Sequence, residues 1–221
     1  PPDEQPEVWN DIKNAYMNNI KILVLLGGAG GAYGDLFKNY DVFYKMLKIF
    51  LNKYNYISGI DLNVEEEVTM LNIQKLINDI RTDFGEKFII TMAPIAEAMV
   101  TDNKGLGGFS YKKLYHSNVG KYIDWFNVQS YGCYDYSTYS QIISNGYPEE
   151  QIVFGMLGDS YDSNSFPKAL TQIKRIIQNY EDMGGCILWE YGDTNIDPII
   201  WGKKINSVFL NKRSCFQIYH P

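Results

Sequence analysis

The stretch Ser58-Gly59-Ile60-Asp61-Leu62-Asn63-Val64-Glu65 places three groups suited to acid–base or hydrogen-bond chemistry at every second position. Side chains of an extended strand alternate between faces. Asp61, Asn63 and Glu65 therefore share one face, and Ile60, Leu62 and Val64 share the other. Neighbours in such a row stand about 6 to 7 Å apart, so Asn63 can support both acids. Three polar groups turned toward an interior are costly unless they bond to one another or are used. In barrel folds the C-terminal ends of the strands form the active-site face, and Glu65 stands at that end of the row.

Other chemistries are poorly supplied. The loop Gly27-Gly28-Ala29-Gly30-Gly31-Ala32 follows a strand, as a phosphate cradle would. The dinucleotide pattern built on Gly28 and Gly30 requires glycine where Tyr33 stands, and no Lys-Ser or Lys-Thr pair follows, so the pattern fails. A backbone that passes close to another segment or to a sugar ring is the alternative use of these glycines. The three cysteines, Cys133, Cys186 and Cys215, are widely spaced and odd in number. They read as incidental thiols, with room for one disulfide in a secreted protein. Two histidines, His116 and His220, give little basis for serine–histidine chemistry or a histidine-ligated zinc. No metal and no cofactor is expected.

The net charge is −6 and no basic run occurs, which argues against nucleic acid as a partner. No apolar stretch reaches the length of a membrane span, and Ile20 to Leu26 reads as a buried strand. The opening Pro1-Pro2-Asp3-Glu4-Gln5-Pro6 has neither the basic segment nor the apolar core of a signal peptide. The compartment is therefore not legible from this end.

The elements that must position Glu65 alternate in type. Strands are predicted at 20–26, 56–64, 87–92, 126–131, 151–156 and 186–191. Helices are predicted at 8–18, 36–53, 68–84, 137–145, 167–182 and 198–210. Glycines at 146 and 184–185 read as helix stops, and Pro167 and Pro198 as helix starts. Glu66 and Glu67 are expected in the first turn of the helix after the acidic strand. About six strand–helix units in one domain spanning 1–221 imply an α/β fold with a parallel sheet. An open doubly wound sheet and a closed barrel share this order, and length alone favours the open sheet.

The acidic strand resembles the Asp-Gly-x-Asp-x-Asp-x-Glu signature of glycoside hydrolase family 18, the chitinases and related endo-β-N-acetylglucosaminidases. Other landmarks follow in order. Lys21 to Gly28 is similar to the family's third strand with its Ser-x-Gly-Gly ending. Thr91-Met92-Ala93-Pro94 resembles the end of the fifth, Val128-Gln129-Ser130-Tyr131 the sixth, and Trp189-Glu190-Tyr191 the eighth. The resemblance covers nearly the whole chain. It implies a TIM-type (β/α)8 barrel that lacks its first two strands here.

The resemblance also implies a chemistry. Family members cleave a β-1,4 bond between N-acetylglucosamine units with the substrate's own acetamido oxygen as nucleophile. A single glutamic acid protonates the leaving oxygen and later activates water, in contrast to enzymes with two carboxylates. By resemblance Glu65 is that acid, and Asp61, Asn63 and Tyr131 complete the catalytic group. Gln129, Trp189, Met92 and Gly28 would bind the sugar, with Trp189 as the floor of the central subsite. The expected partner is chitin or an N-acetylglucosamine-containing oligosaccharide, the expected state a monomer, and a typical member is secreted.

Three positions depart from the signature. Asn63 replaces the Asp that orients the acetamido group, Ser58 replaces the first Asp, and Leu25 stands for the Ser of Ser-x-Gly-Gly. Asn63 can still accept a hydrogen bond through its carbonyl oxygen, but it brings no charge. Losing such a contact in a dry site typically costs about 2 to 4 kcal/mol of transition-state stabilisation. Two readings follow: a slow or specialised retaining hydrolase, or a sugar-binding lectin on the same fold. Retention of Glu65 favours the enzyme. A nucleotide-dependent open-sheet enzyme is the third class. The tyrosines 134, 136 and 139 are further candidates for a groove.

Overall fold

A computed structural model describes residues 5–210. Cys215 and His220 lie outside the described residues. Six parallel strands pair strictly in chain order: β1 (Ile22–Gly27), β2 (Ile57–Asn63), β3 (Ile89–Met92), β4 (Trp125–Gln129), β5 (Ile152–Leu157) and β6 (Gly185–Trp189). Sequential order in a parallel sheet requires a crossover after each strand, and helices supply it. The helices are α1 (Pro6–Met17), α2 (Tyr33–Lys38), α3 (Tyr40–Lys53), α4 (Met70–Phe84), α5 (Ala96–Val100), α6 (Tyr111–Tyr115), α7 (Tyr136–Ser144), α8 (Phe166–Asn179) and α9 (Pro198–Phe209). Among the described residues no helix is long and apolar enough to cross a membrane.

The sheet is a curled half-barrel, consistent with a truncated (β/α)8 fold. Side chains show the curl. Strands β2 and β4 are separated by β3, a distance of about 9.5 Å in a flat sheet. Yet Asn127 of β4 donates directly to Asp61 of β2 at 3.0 Å. The polar face is therefore the concave one. The opposite face is apolar and packs on the helices: Ile60, Leu62, Ile90, Met92, Phe126, Val128, Phe154 and Met156 are all fully buried. Burying side chains of this size contributes about 1.5 to 3 kcal/mol each to stability.

Several local expectations need correction. The helix predicted over 36–53 is two helices that meet at Asn39, whose backbone leaves the helical region. Helix α8 stops at Asn179, with Tyr180 as its cap. Gly184 and Gly185 instead lead into β6, and a Cβ on Gly184 would stand 2.6 Å from the carbonyl oxygen of Glu150. Gly146, at φ 100°, does follow α7 as a stop, and Pro residues open α8 and α9. Tyr134 and Tyr139 are buried core residues and line no groove. Tyr136 lies half-buried under Arg175, whose guanidinium carbon is 4.2 Å from the ring centre. Cys133 and Cys186 are free thiols, and the Cys186 sulfur lies 3.2 Å from the Tyr134 hydroxyl.

Candidate active site

The alternation of β2 holds in three dimensions. Ile60, Leu62 and Val64 are buried on the helix side, and Asp61 and Asn63 are buried on the concave side. Glu65 lies just past the strand's C-terminal end and is half-buried. Barrel active sites gather at this end of the strands.

Two layers of polar side chains stack below and beside Glu65. In the lower one, Asp61 Oδ1 accepts from the Thr91 hydroxyl and from Asn127 Nδ2. Asn127 Oδ1 in turn accepts from the Trp125 indole at 3.0 Å. An indole nitrogen only donates, so this contact fixes the Asn127 amide with its nitrogen toward Asp61. In the upper layer, Gln129 Nε2 donates to Ala93 O at 2.8 Å, Glu65 Oε1 at 3.1 Å and Asn63 Oδ1 at 3.2 Å. The second carboxyl oxygen of Glu65 has no hydrogen bond among the described residues.

Thr91 and Asn127 were not singled out by sequence reading. Their signal was available, because Asn127 alternates with Gln129 on β4 and Thr91 pairs with Asp61 in register. Leu25 pairs with Asp61 in register and is 39% exposed on the concave side. Ser58 lies at the far end of β2, where its hydroxyl accepts from Ile22 N at 3.3 Å. A register shift separates Ile22 from Leu23 there. Tyr111, also missed, is buried close enough to Asp61 and Glu65 for both carboxylates, after burial itself, to raise its phenol pKa.

Burial pushes the Asp61 carboxyl above the ordinary aspartate range, against the hydrogen bonds from Thr91 and Asn127. The sign of the linkage follows. The folded chain holds this proton more tightly than the unfolded one, so ionised Asp61 costs stability as pH rises from the ordinary aspartate range through the raised value. Asp61→Asn keeps an oxygen for both donors and removes the buried charge. It is expected to melt at a higher temperature than wild type at pH 7, with the gap closing below about pH 4. A lower melting temperature at pH 7 would show that the charge itself holds the cluster.

Glu66 corrects a local expectation. Neither it nor Glu67 enters the first turn of the following helix, since α4 starts at Met70 with Thr69 as its cap. The Glu66 carboxylate reaches back across the strand ends to the start of α2 and accepts from the backbone N–H groups of Ala32, Tyr33 and Gly34. These bonds, that from Ala32 foremost, hold its carboxyl below the usual glutamate range despite some desolvation. The glycine loop is thus tied to the end of β2. A depressed folded pKa contributes stability above the ordinary glutamate pKa, lost as pH falls through the folded value. Glu66→Ala is expected to lower the melting temperature at pH 7 and to narrow its deficit below about pH 4. An equal deficit at all pH values would remove the carboxylate from this role.

Close approach requires glycine at one position of that loop, whereas a Cβ on Gly30 would meet nothing within 4 Å. Gly27, at φ 95°, packs against Asn63 O and the Tyr33 ring, and any Cβ there would collide with both. Gly28, at φ 102°, donates its N–H to Asn63 O at 2.9 Å. Tyr33, which breaks the dinucleotide pattern, is fully buried and donates its hydroxyl to Leu26 O at 2.9 Å.

The remaining site candidates divide. Tyr131 is half-buried; burial, then the carboxylates of Glu65, Asp61 and Glu190, push its phenol above the ordinary value. It therefore belongs to the acidic cluster. Trp189 closes β6 on the concave face and is 41% exposed, free to stack on a flat ligand. Met92 departs from its expected role. It pairs in register with Leu62 and Phe126 and is fully buried in the helix-facing core, where no ligand reaches it. His116 is exposed at the end of α6. Among the described residues no three His, Cys, Asp or Glu side chains converge as a metal ion would require.

Comparison with known proteins agrees with this geometry. The family model described as Glycosyl hydrolases family 18 matches residues 4–151. A fungal endo-beta-N-acetylglucosaminidase of that family is similar at 29% identity and a TM-score of 0.80, over 91% of this chain and 76% of its own. The chitinase ChiC of Aspergillus fumigatus is similar at 26% identity and a TM-score of 0.77, over 92% and 78%. A chitinase-like agglutinin of Robinia pseudoacacia, at 13% identity and a TM-score of 0.53 over 86% and 81%, shares the fold. No curated protein matches significantly. Two thirds of the sequence fit one family model, and the strand that the signature singled out carries the polar row on the concave face. The chain belongs to glycosyl hydrolases family 18.

Proposed function

We propose that the chain is a chitinase-like retaining hydrolase of low turnover, acting on β-1,4-linked N-acetylglucosamine. Glu65 is its general acid and base. The observation that carries this reading is the position of Glu65: half-buried at the strand end, one oxygen fixed by Gln129 and the other without a hydrogen bond among the described residues. Trp189 offers an exposed ring for the sugar's apolar face, and Tyr131 a phenol on the acidic side. The acetamido oxygen of the bound sugar attacks the anomeric carbon as the Glu65 proton passes to the leaving oxygen. Water then opens the cyclic intermediate, with Glu65 taking its proton.

The second reading, a binding protein for N-acetylglucosamine oligomers, is favoured by one feature. Asn63 replaces a charge with an amide whose oxygen is already occupied by Gln129. Incubation with soluble N-acetylglucosamine oligomers separates the two. Release of shorter oligomers supports the hydrolase, and retention on chitin without any release supports the binder.

A further inference from the structure

The direction of the Asn63 amide is set by its neighbours. Ala93 O can only accept, so Gln129 turns its nitrogen toward it at 2.8 Å. The same nitrogen faces Glu65 Oε1 and Asn63 Oδ1. An amide nitrogen carries two hydrogens. One goes to Ala93, and the other is shared between Glu65 and Asn63. Turning Gln129 over would set its oxygen against the Ala93 carbonyl oxygen, so its orientation is locked. The lock passes on. Asn63 must present Oδ1 to Gln129, which leaves its Nδ2 without a hydrogen bond among the described residues. Nothing at Gly28 covers that nitrogen, whereas a Cβ there would stand 3.6 Å from it.

We infer that Asn63 meets its ligand as a hydrogen-bond donor, so that this subsite recognises a sugar by an acceptor oxygen on its 2-substituent and not by an acetamido N–H. The inference rests on the reading of the cleft as an N-acetylglucosamine site, and it names what that site selects. A carboxylate at the same place would select the N–H. An acetamido oxygen bonded to Asn63 has a lone pair committed, which slows its attack on the anomeric carbon. The same contact therefore favours holding the sugar over turning it over.

Two trisaccharides separate the cases: the N-acetylglucosamine trimer, and its counterpart with 2-O-acetyl esters for the acetamides. The ester trimer keeps every carbonyl and has no N–H. Each is titrated into the wild-type chain and into Asn63→Asp, with tryptophan fluorescence as readout. Wild type is expected to bind the two within about threefold, and Asn63→Asp to prefer the acetamide by about tenfold or more. A wild-type preference for the acetamide of tenfold or more overturns the donor role and leaves the sugar site standing. Binding of neither trimer to either protein overturns the sugar site and this inference with it. A crystal of the wild-type chain with the acetamide trimer needs no variant. The acetamido oxygen within hydrogen-bond reach of Asn63 supports the inference, and the acetamido nitrogen there overturns it.

Discussion

Glu65→Gln loses about 10²- to 10⁴-fold in kcat on N-acetylglucosamine oligomers while affinity for them stays within about threefold. The substitution preserves shape, and the new side-chain oxygen still accepts from Gln129 as Glu65 Oε1 does at 3.1 Å. Only the transferable proton is gone. Steady-state kinetics with a fluorogenic oligomer, beside calorimetric binding of the unlabelled one, gives both quantities. Unchanged turnover would move the acid to another residue. Lost affinity with unchanged kcat would make Glu65 a binding group.

Asn63→Asp raises kcat by about 10²- to 10³-fold, the inverse of losing one charge-assisted contact in a desolvated site. Gln129 Nε2 can donate to the new carboxylate from its present place, 3.2 Å from Asn63 Oδ1. The second carboxylate oxygen replaces the amide nitrogen on the cleft side. It accepts the acetamido N–H and stabilises the cationic intermediate. The gain is expected in kcat, because the charge develops only as the reaction proceeds. The cost is a second buried acid close to Asp61, whose carboxyl burial already pushes upward, so the variant is expected to melt lower. A variant that folds and shows no gain in kcat would mean that turnover is limited elsewhere in the cluster.

What the sequence disclosed follows from how each residue acts. The β2 row was legible because its two faces differ so sharply in polarity, and the parallel strands because each is a short apolar-rich run flanked by helical spacing. Strand positions agree to within about two residues, the usual uncertainty of element ends. Asn39 hid the helix break, since Leu36 and Phe37 on one side and Tyr40 on the other keep a helical spacing. Glu66 misled because a local rule, acid before helix, competed with a cap contact to Ala32 and Tyr33 across the strand ends. Met92 misled because its place at a strand end says nothing of its face. The face is fixed by register with Leu62, a property of the pairing. Thr91 and Asn127 belong to strands of four and five residues, too short for alternation to stand out. Tyr111 reaches the acids from a helix of five residues after a glycine-rich loop, a long-range placement that no periodicity carries.

The most direct test concerns the handedness of the first product. If the sugar's own acetamide displaces the leaving group and Glu65 then directs water to the same face, the newly formed reducing end appears as the β-anomer. Proton NMR of oligomer cleavage, recorded before mutarotation, should show that anomer accumulating first. Initial accumulation of the α-anomer would mean that water attacks directly from the opposite face, and that contradicts single-carboxyl, substrate-assisted chemistry at residue 65.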